Sequence, residues 1–156
     1  MFVSEKIRHV ATRSEFLSWT SNVGENGFCN LTRVSGFIVD NDNECITFFL
    51  PEGLFKLIEP GLLPGSNISL VTVSVKDFES YQVKGSYIGH CKCTEENVDH
   101  YRLRVLKVID IITGMGLNGH AILGFLLEQP SVAVTFRCKE NYLQTPKPGT
   151  GTKLTD

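Results

Sequence analysis

The apolar positions of the chain recur with different periods in different segments. Residues 67–75 (NISLVTVSV) alternate polar and apolar, the two-residue period of a half-buried strand. Residues 45–50 (CITFFL) form a short apolar run rich in residues that favour strands. Residues 80–93 (SYQVKGSYIGHCKC) predict a long strand in which Gly85 and Gly89 mark a bend or bulge. Residues 28–40 (FCNLTRVSGFIVD) are long enough for one extended strand, and residues 131–143 predict the last one. From residue 94 the period changes. Val98, Tyr101, Val105, Val108, Ile109 and Ile112 recur at helical spacing behind Thr94 and two acids, a helix-start pattern. Residues 120–128 predict a second, more apolar helix that Pro130 stops. Short helices are predicted at 54–59 and at 14–19, where Ser14 can cap and Phe16, Leu17 and Trp19 anchor.

Turn chemistry separates these segments. Asn26-Gly27 is a hairpin signal, and residues 40–44 (DNDNE), 51–53 (PEG), 60–65 (PGLLPG) and 76–78 (KDF) supply turn residues. The order is a run of antiparallel strands, a helical interlude, and a strand that returns to the sheet. A small closed or partly closed β-barrel with flanking helices satisfies that order, because closure removes exposed edges. There is no internal repeat and no low-complexity linker. Residues 1–156 therefore read as a single domain, with 141–156 as a C-terminal arm.

Composition narrows the function. At 42% hydrophobic and 21% charged residues, the chain can bury a core without staples. A net charge of -2 gives no basic footprint for nucleic acid or an acidic membrane. The stretch after Met1 is mixed rather than apolar, so no export signal is expected, and no apolar run reaches spanning length. Five cysteines without an export signal predict free thiols in the cytoplasm. HCKC (residues 90–93) offers a single Cys-x-Cys, a poor match to zinc spacing, so no metal is expected. His9, His100 and His120 have no Ser or Cys partner at motif spacing. GMGLNG (residues 114–119) sits between predicted helices and reads as a helix-terminating loop, not a phosphate loop.

One ordered set of motifs remains: Gly27 in a turn, TRVSGF (residues 32–37), TFFLP (47–51), a lysine three residues after Gly53, SYQVKG (80–85) and QTPKPGTG (144–151). This set resembles the pyridoxamine 5'-phosphate oxidase-like flavoproteins, the FMN-binding split-barrel family. The resemblance runs roughly from residue 16 to residue 154. It implies a mainly β fold, a six-stranded antiparallel split barrel with flanking helices. It also implies a homodimer that holds FMN between its subunits and acts as an oxidoreductase on a small substrate or redox partner. By the same resemblance, Arg33 approaches the FMN phosphate or the flavin edge, Val34 and Ser35 face the isoalloxazine or ribityl chain, and Phe48, Phe49 and Leu50 lie on the strand beside the cofactor. Lys56 contacts the phosphate, Tyr81 and Gln82 are presented by the partner subunit, and Gln144 and Thr145 open a covering tail. Two departures stand out. Lys147 replaces a glycine common in the family's tail, and IEPGLLPGSN (residues 58–67) replaces the usual helix end after Lys56. The arginine-rich C-terminal substrate motif of the true oxidases is absent.

Elementary chemistry is compatible with this. A phosphate dianion wants cations and hydroxyl or backbone donors, which Arg33, Ser35 and Lys56 can supply. Two of them also have a plain reading, Arg33 as a solvent-facing strand residue and Lys56 as a surface lysine. Of Phe48 and Phe49 only one can face the barrel interior, because successive strand residues point to opposite faces. Gln82 can donate and accept along a flavin edge or be an exposed strand residue. The tail is either a pre-stiffened arm or a frayed end. Two other functions stay open, a non-catalytic flavin or electron-transfer module and the same barrel holding haem or a deazaflavin.

Overall fold

The computed structural model describes the chain except residues 1, 14, 41, 120, 122–127 and 156. Helix α1 (Glu5–Ala11) leads into β1 (Phe16–Val23), β2 (Cys29–Val34), β3 (Gly36–Val39) and β4 (Cys45–Leu50). Helix α2 (Glu52–Ile58) and a single 3-10 turn (Glu59–Gly61) precede β5 (Asn67–Ser74) and β6 (Ser80–Lys92). Helix α3 (Glu95–Gly114), β7 (Val132–Leu143) and the two-residue β8 (Lys153–Leu154) complete the chain. Every pairing is antiparallel, in the order β2-β1-β5-β6-β7-β4-β3, with β8 on β7.

The two ends of that order, β2 and β3, are consecutive in the chain and meet at Ser35. Val34 is the last residue to pair with β1, opposite Ser18, and Gly36 is the first to pair with β4, opposite Phe49. The Ser35 amide already donates to the Phe49 carbonyl at 2.7 Å. One stretch of backbone thus changes partners at a corner, and the sheet curls round on itself. This corrects the strand count. The resemblance implies six strands, whereas seven lie along the path, because residues 28–40 are divided at Ser35.

Residues 14–19 do not form the expected helix; Phe16–Val23 is a strand. The physical reason is an inverted pattern. The inward positions Ser18, Thr20 and Asn22 are polar, and the outward positions Leu17 and Trp19 are apolar. Each of the three inward side chains donates a hydrogen bond, as burial favours, although Asn22 Oδ1 accepts none among the described residues. Ser18 Oγ donates to Thr72 Oγ1 at 2.9 Å, Thr20 Oγ1 to the Ser69 carbonyl at 3.0 Å, and Asn22 Nδ2 to the Ile58 carbonyl at 2.8 Å. Helix α1 was not foreseen, although Val3, Ile7, Val10 and Ala11 carry a helical spacing and are buried.

The other elements agree with the periods in the sequence. Phe48, Phe136, Ile46, Leu50, Leu70, Val83 and Tyr87 fill the barrel, and the Phe48 and Phe136 rings stand 6.2 Å apart. Thr94 caps α3 in a capping box with Asn97, as the sequence start signal predicted. Strand β6 shifts register at Lys84/Gly85 and Tyr87/Gly89, where the two glycines were expected to bend it. The second predicted helix, 120–128, falls largely outside the described residues. Among the described residues no helix is long and apolar enough to cross a membrane. All five cysteines are free thiols.

Residues 144–154 fold back on the barrel itself. The Leu143 amide donates to the Thr152 carbonyl at 2.9 Å, the Gln144 amide to the Ser80 carbonyl at 2.8 Å, and the Ser80 amide to Thr145 Oγ1 at 3.0 Å. The segment is therefore a hairpin that extends β7 into β8.

Candidate cofactor site

The residues singled out in the sequence occupy three places. Arg33, Val34 and Ser35 lie at the corner between β2 and β3. Lys56 stands on α2, exposed and paired with Glu52 at 3.3 Å. Gln82, Gln144 and Thr145 meet where β6 receives the tail, with Gln144 Nε2 donating to Gln82 Oε1 at 2.9 Å and Gln82 Nε2 to Ser69 Oγ at 2.9 Å. Phe48, Leu50 and Tyr81 point into the core. Phe49 points the other way, and its ring meets the His100 imidazole edge-on at 5.7 Å. Of the two phenylalanines, Phe48 is thus the interior one.

Register turns two of these places into one surface. Arg33 pairs with Trp19, Trp19 with Val71, Val71 with Gln82, and Gln82 with Tyr142. All five side chains point away from the core, as does the neighbouring pair Leu17 and Val73. Leu17, Trp19, Val71 and Val73 make an apolar strip on the outer face while Ser18, Thr72 and Ser74 lie buried beneath it. Arg33 bounds the strip on one side and Gln82 on the other. They are three strands apart, roughly 14 Å at ordinary strand spacing. One cofactor edge cannot touch both within a single chain.

Helix α3 closes the end of the strip beside Ser35. The helix packs over Gly36, where a Cβ would make ordinary contact with His100 Cδ2 at 3.4 Å and Arg104 Cδ at 3.5 Å. Between helix and corner lies a cavity of about 40 Å³ lined by Ser35, Arg33, Arg104, Tyr101, Leu17 and apolar neighbours. Ser35 is 8% exposed, and its Oγ has no hydrogen-bond partner among the described residues. Arg104 is 6% exposed. Its Nε donates to the Phe16 carbonyl at 3.1 Å, and its Nη2 donates to the same oxygen. Among the described residues no carboxylate forms an ion pair with it. Burial lowers its pKa to about 10, against a smaller opposing pull from Glu15. Arg104 was not singled out in the sequence. It occupies an inward position of the α3 stripe between Tyr101 and Val108, where a charge is the exception.

His100 sits beside it. Burial, then the Arg104 charge, holds its imidazole below its usual pKa, while Glu96 pulls weakly upward. Its Nε2 is buried without a partner among the described residues, and Arg8 and His100 line one hollow. The folded state therefore favours neutral His100. Its contribution is complete above the ordinary imidazole pKa of about 6.5 and is lost as pH falls through the depressed folded value. Thermal midpoints measured from pH 7.5 down to pH 5 are expected to fall more steeply for the wild type than for His100→Gln. Equal slopes would remove His100 as the source.

No protein-family model and no curated protein matches the sequence. Solved structures do match. HupZ from Group A Streptococcus superposes with TM-score 0.56 at 9% identity over 96% of this chain and 98% of that one. A candidate pyridoxamine 5'-phosphate oxidase from Lactobacillus delbrueckii gives 0.51 at 12% identity over 90% and 93%. An FMN-binding protein from Syntrophomonas wolfei gives 0.51 at 12% identity over 88% and 82%. The curled antiparallel sheet with its helices thus has the split-barrel fold of these proteins. The neighbours agree with the pyridoxamine 5'-phosphate oxidase-like resemblance drawn from the motifs.

Proposed function

We propose that the protein is a flavin-binding split barrel that holds FMN on the outer face of β2, β1, β5 and β6. The inverted patterning of that face carries the reading. Half-buried apolar side chains stand outward on Leu17, Trp19, Val71 and Val73 while polar ones are buried beneath, an arrangement that suits a covered face. A flat apolar ring needs such a wall, with polar groups at its rim. Arg33 and Gln82 supply the rim. Their separation across the sheet favours a homodimer, in which Gln82 of a second copy reaches the flavin bound near Arg33. The FMN-binding structural neighbour supports the choice of ligand.

The 40 Å³ cavity is far smaller than the several hundred Å³ a cofactor pocket ordinarily needs, so the ring lies on the open face rather than inside the chain. Lys56 fits the phosphate role poorly, because it is exposed and paired with Glu52. When bound, the flavin supplies hydride or electron transfer, and the chain's residues bind and orient it. An oxidoreductase role follows from that reading.

The test is the visible absorption spectrum of the purified protein, with and without added FMN. A two-banded flavin spectrum, weakened in Arg33→Ala, is the expected result. A protein that stays colourless and ignores added FMN overturns the reading, and haem or deazaflavin absorbance would replace the ligand.

A further inference from the structure

We propose that the cavity under α3 is a phosphate-monoester site in which Arg104 and Ser35, rather than Lys56, hold the anion. The inference rests on the flavin reading for the identity of the ligand, though not for the existence of the site.

Arg104 carries an unbalanced charge. A buried guanidinium is costly unless it is paired and hydrogen-bonded. Arg104 is buried, yet among the described residues its hydrogen bonds go to the neutral carbonyl of Phe16. Beside it, Ser35 Oγ is a buried hydroxyl with no partner among the described residues. Orphaned buried polar atoms are uncommon in folded proteins and point to a missing ligand or water. The two groups line one cavity together with Arg33, so cations and a hydroxyl converge on a single small space. A volume of about 40 Å³ is enough for a few water-sized atoms, the scale of an anionic headgroup.

Position links this cavity to the outer face. Leu17 and Arg33 belong to the apolar strip and its rim, and both also line the cavity. A flavin on the strip would place its phosphate end in the cavity beneath α3. An oxyanion there accepts hydrogen bonds from Ser35 Oγ and from charged guanidinium groups, the stronger class of hydrogen bond. Lys56 lines a different hollow, with Phe55 and His90 near the opposite end of β6.

Riboflavin, which lacks the phosphate, separates the outcomes. Binding of FMN and riboflavin is followed by flavin fluorescence in the full-length protein, and inorganic phosphate is used as competitor and as thermal stabiliser. The wild type is expected to prefer FMN, with phosphate competing. Arg104→Met is expected to weaken FMN by about tenfold to a hundredfold, the loss of charge-assisted hydrogen bonds, and to leave riboflavin unchanged. Ser35→Ala, a smaller change that keeps the fold if Arg104→Met does not, is expected to weaken FMN alone by a few-fold to about tenfold. Lys56→Ala is expected to change neither. Equal wild-type affinity for the two flavins overturns the proposal. So does an equal loss of both in Arg104→Met and Ser35→Ala, the signature of a purely structural role. If no flavin binds, the outer-face reading fails by itself. Stabilisation by phosphate that disappears in Ser35→Ala then still upholds the anion site, and no stabilisation overturns it.

Discussion

Gly85→Ala is expected to be among the most damaging single methyl additions to this chain. Gly85 sits at a register shift of β6 against β7. A Cβ there would overlap the Arg137 carbonyl oxygen and lie 2.6 Å from Phe136 Cδ2. Neither neighbour can retreat cheaply, since one is backbone in the adjacent strand and the other is a fully buried ring. Overpacking a rigid core costs about 1–3 kcal/mol, and an overlap with backbone belongs at or above the top of that range. For a chain of this size 3 kcal/mol corresponds to a fall in Tm of about 6–12 °C. Gly89 is the internal control. It lies at the second register shift of the same strand, but nothing stands within 4 Å of its would-be Cβ. Gly89→Ala is expected to stay within about 1 kcal/mol of the wild type. Thermal melts of the two variants check this, and equal melting temperatures would contradict the close packing at Gly85.

Phe48→Ala is expected to cost about 3–5 kcal/mol, the usual range for emptying a buried phenylalanine site. Phe48 is fully buried, lies opposite Phe37 and Val134 in the sheet, and sets its ring at a tilt to that of Phe136. Domains are stable by only about 5–15 kcal/mol, so the variant keeps a small margin. Denaturant melts measure the loss. The same variant also tests the geometry of the site, because Phe48 points away from the outer face. Flavin affinity at a temperature where the variant remains folded is expected to be unchanged. A Phe48→Ala protein of normal stability and altered flavin affinity would place Phe48 against the cofactor instead of in the core.

The elements legible in the sequence are those whose local chemistry and burial point the same way. Strand β5 alternates because one face is core, and β6 carries glycines at the points where it must bend. Helix α3 has both a capping start and an apolar stripe. Strand β1 was misread because its buried positions are polar and its outward positions apolar, so its pattern describes the outer surface and not the interior. Arg33, Ser35 and Gln82 were legible as polar residues in strand motifs that resemble a known family. Arg104 was not, since an arginine within a helical stripe carries no sign of what it will face.

By itself the sequence determined the periods of the main strands and of α3 and the turns between them. These depend on neighbours within a few residues, where steric preference and spacing act directly. The tertiary structure alone decided that residues 28–40 change partners at Ser35, that the tail turns back on β7, and that Lys56 stands apart from the Arg33 corner. It also brought Arg104 beneath that corner from 69 positions away in the chain, leaving it and Ser35 Oγ around a shared cavity. Such placements are set by long-range packing and by the balance of buried charge, which no local window of sequence contains.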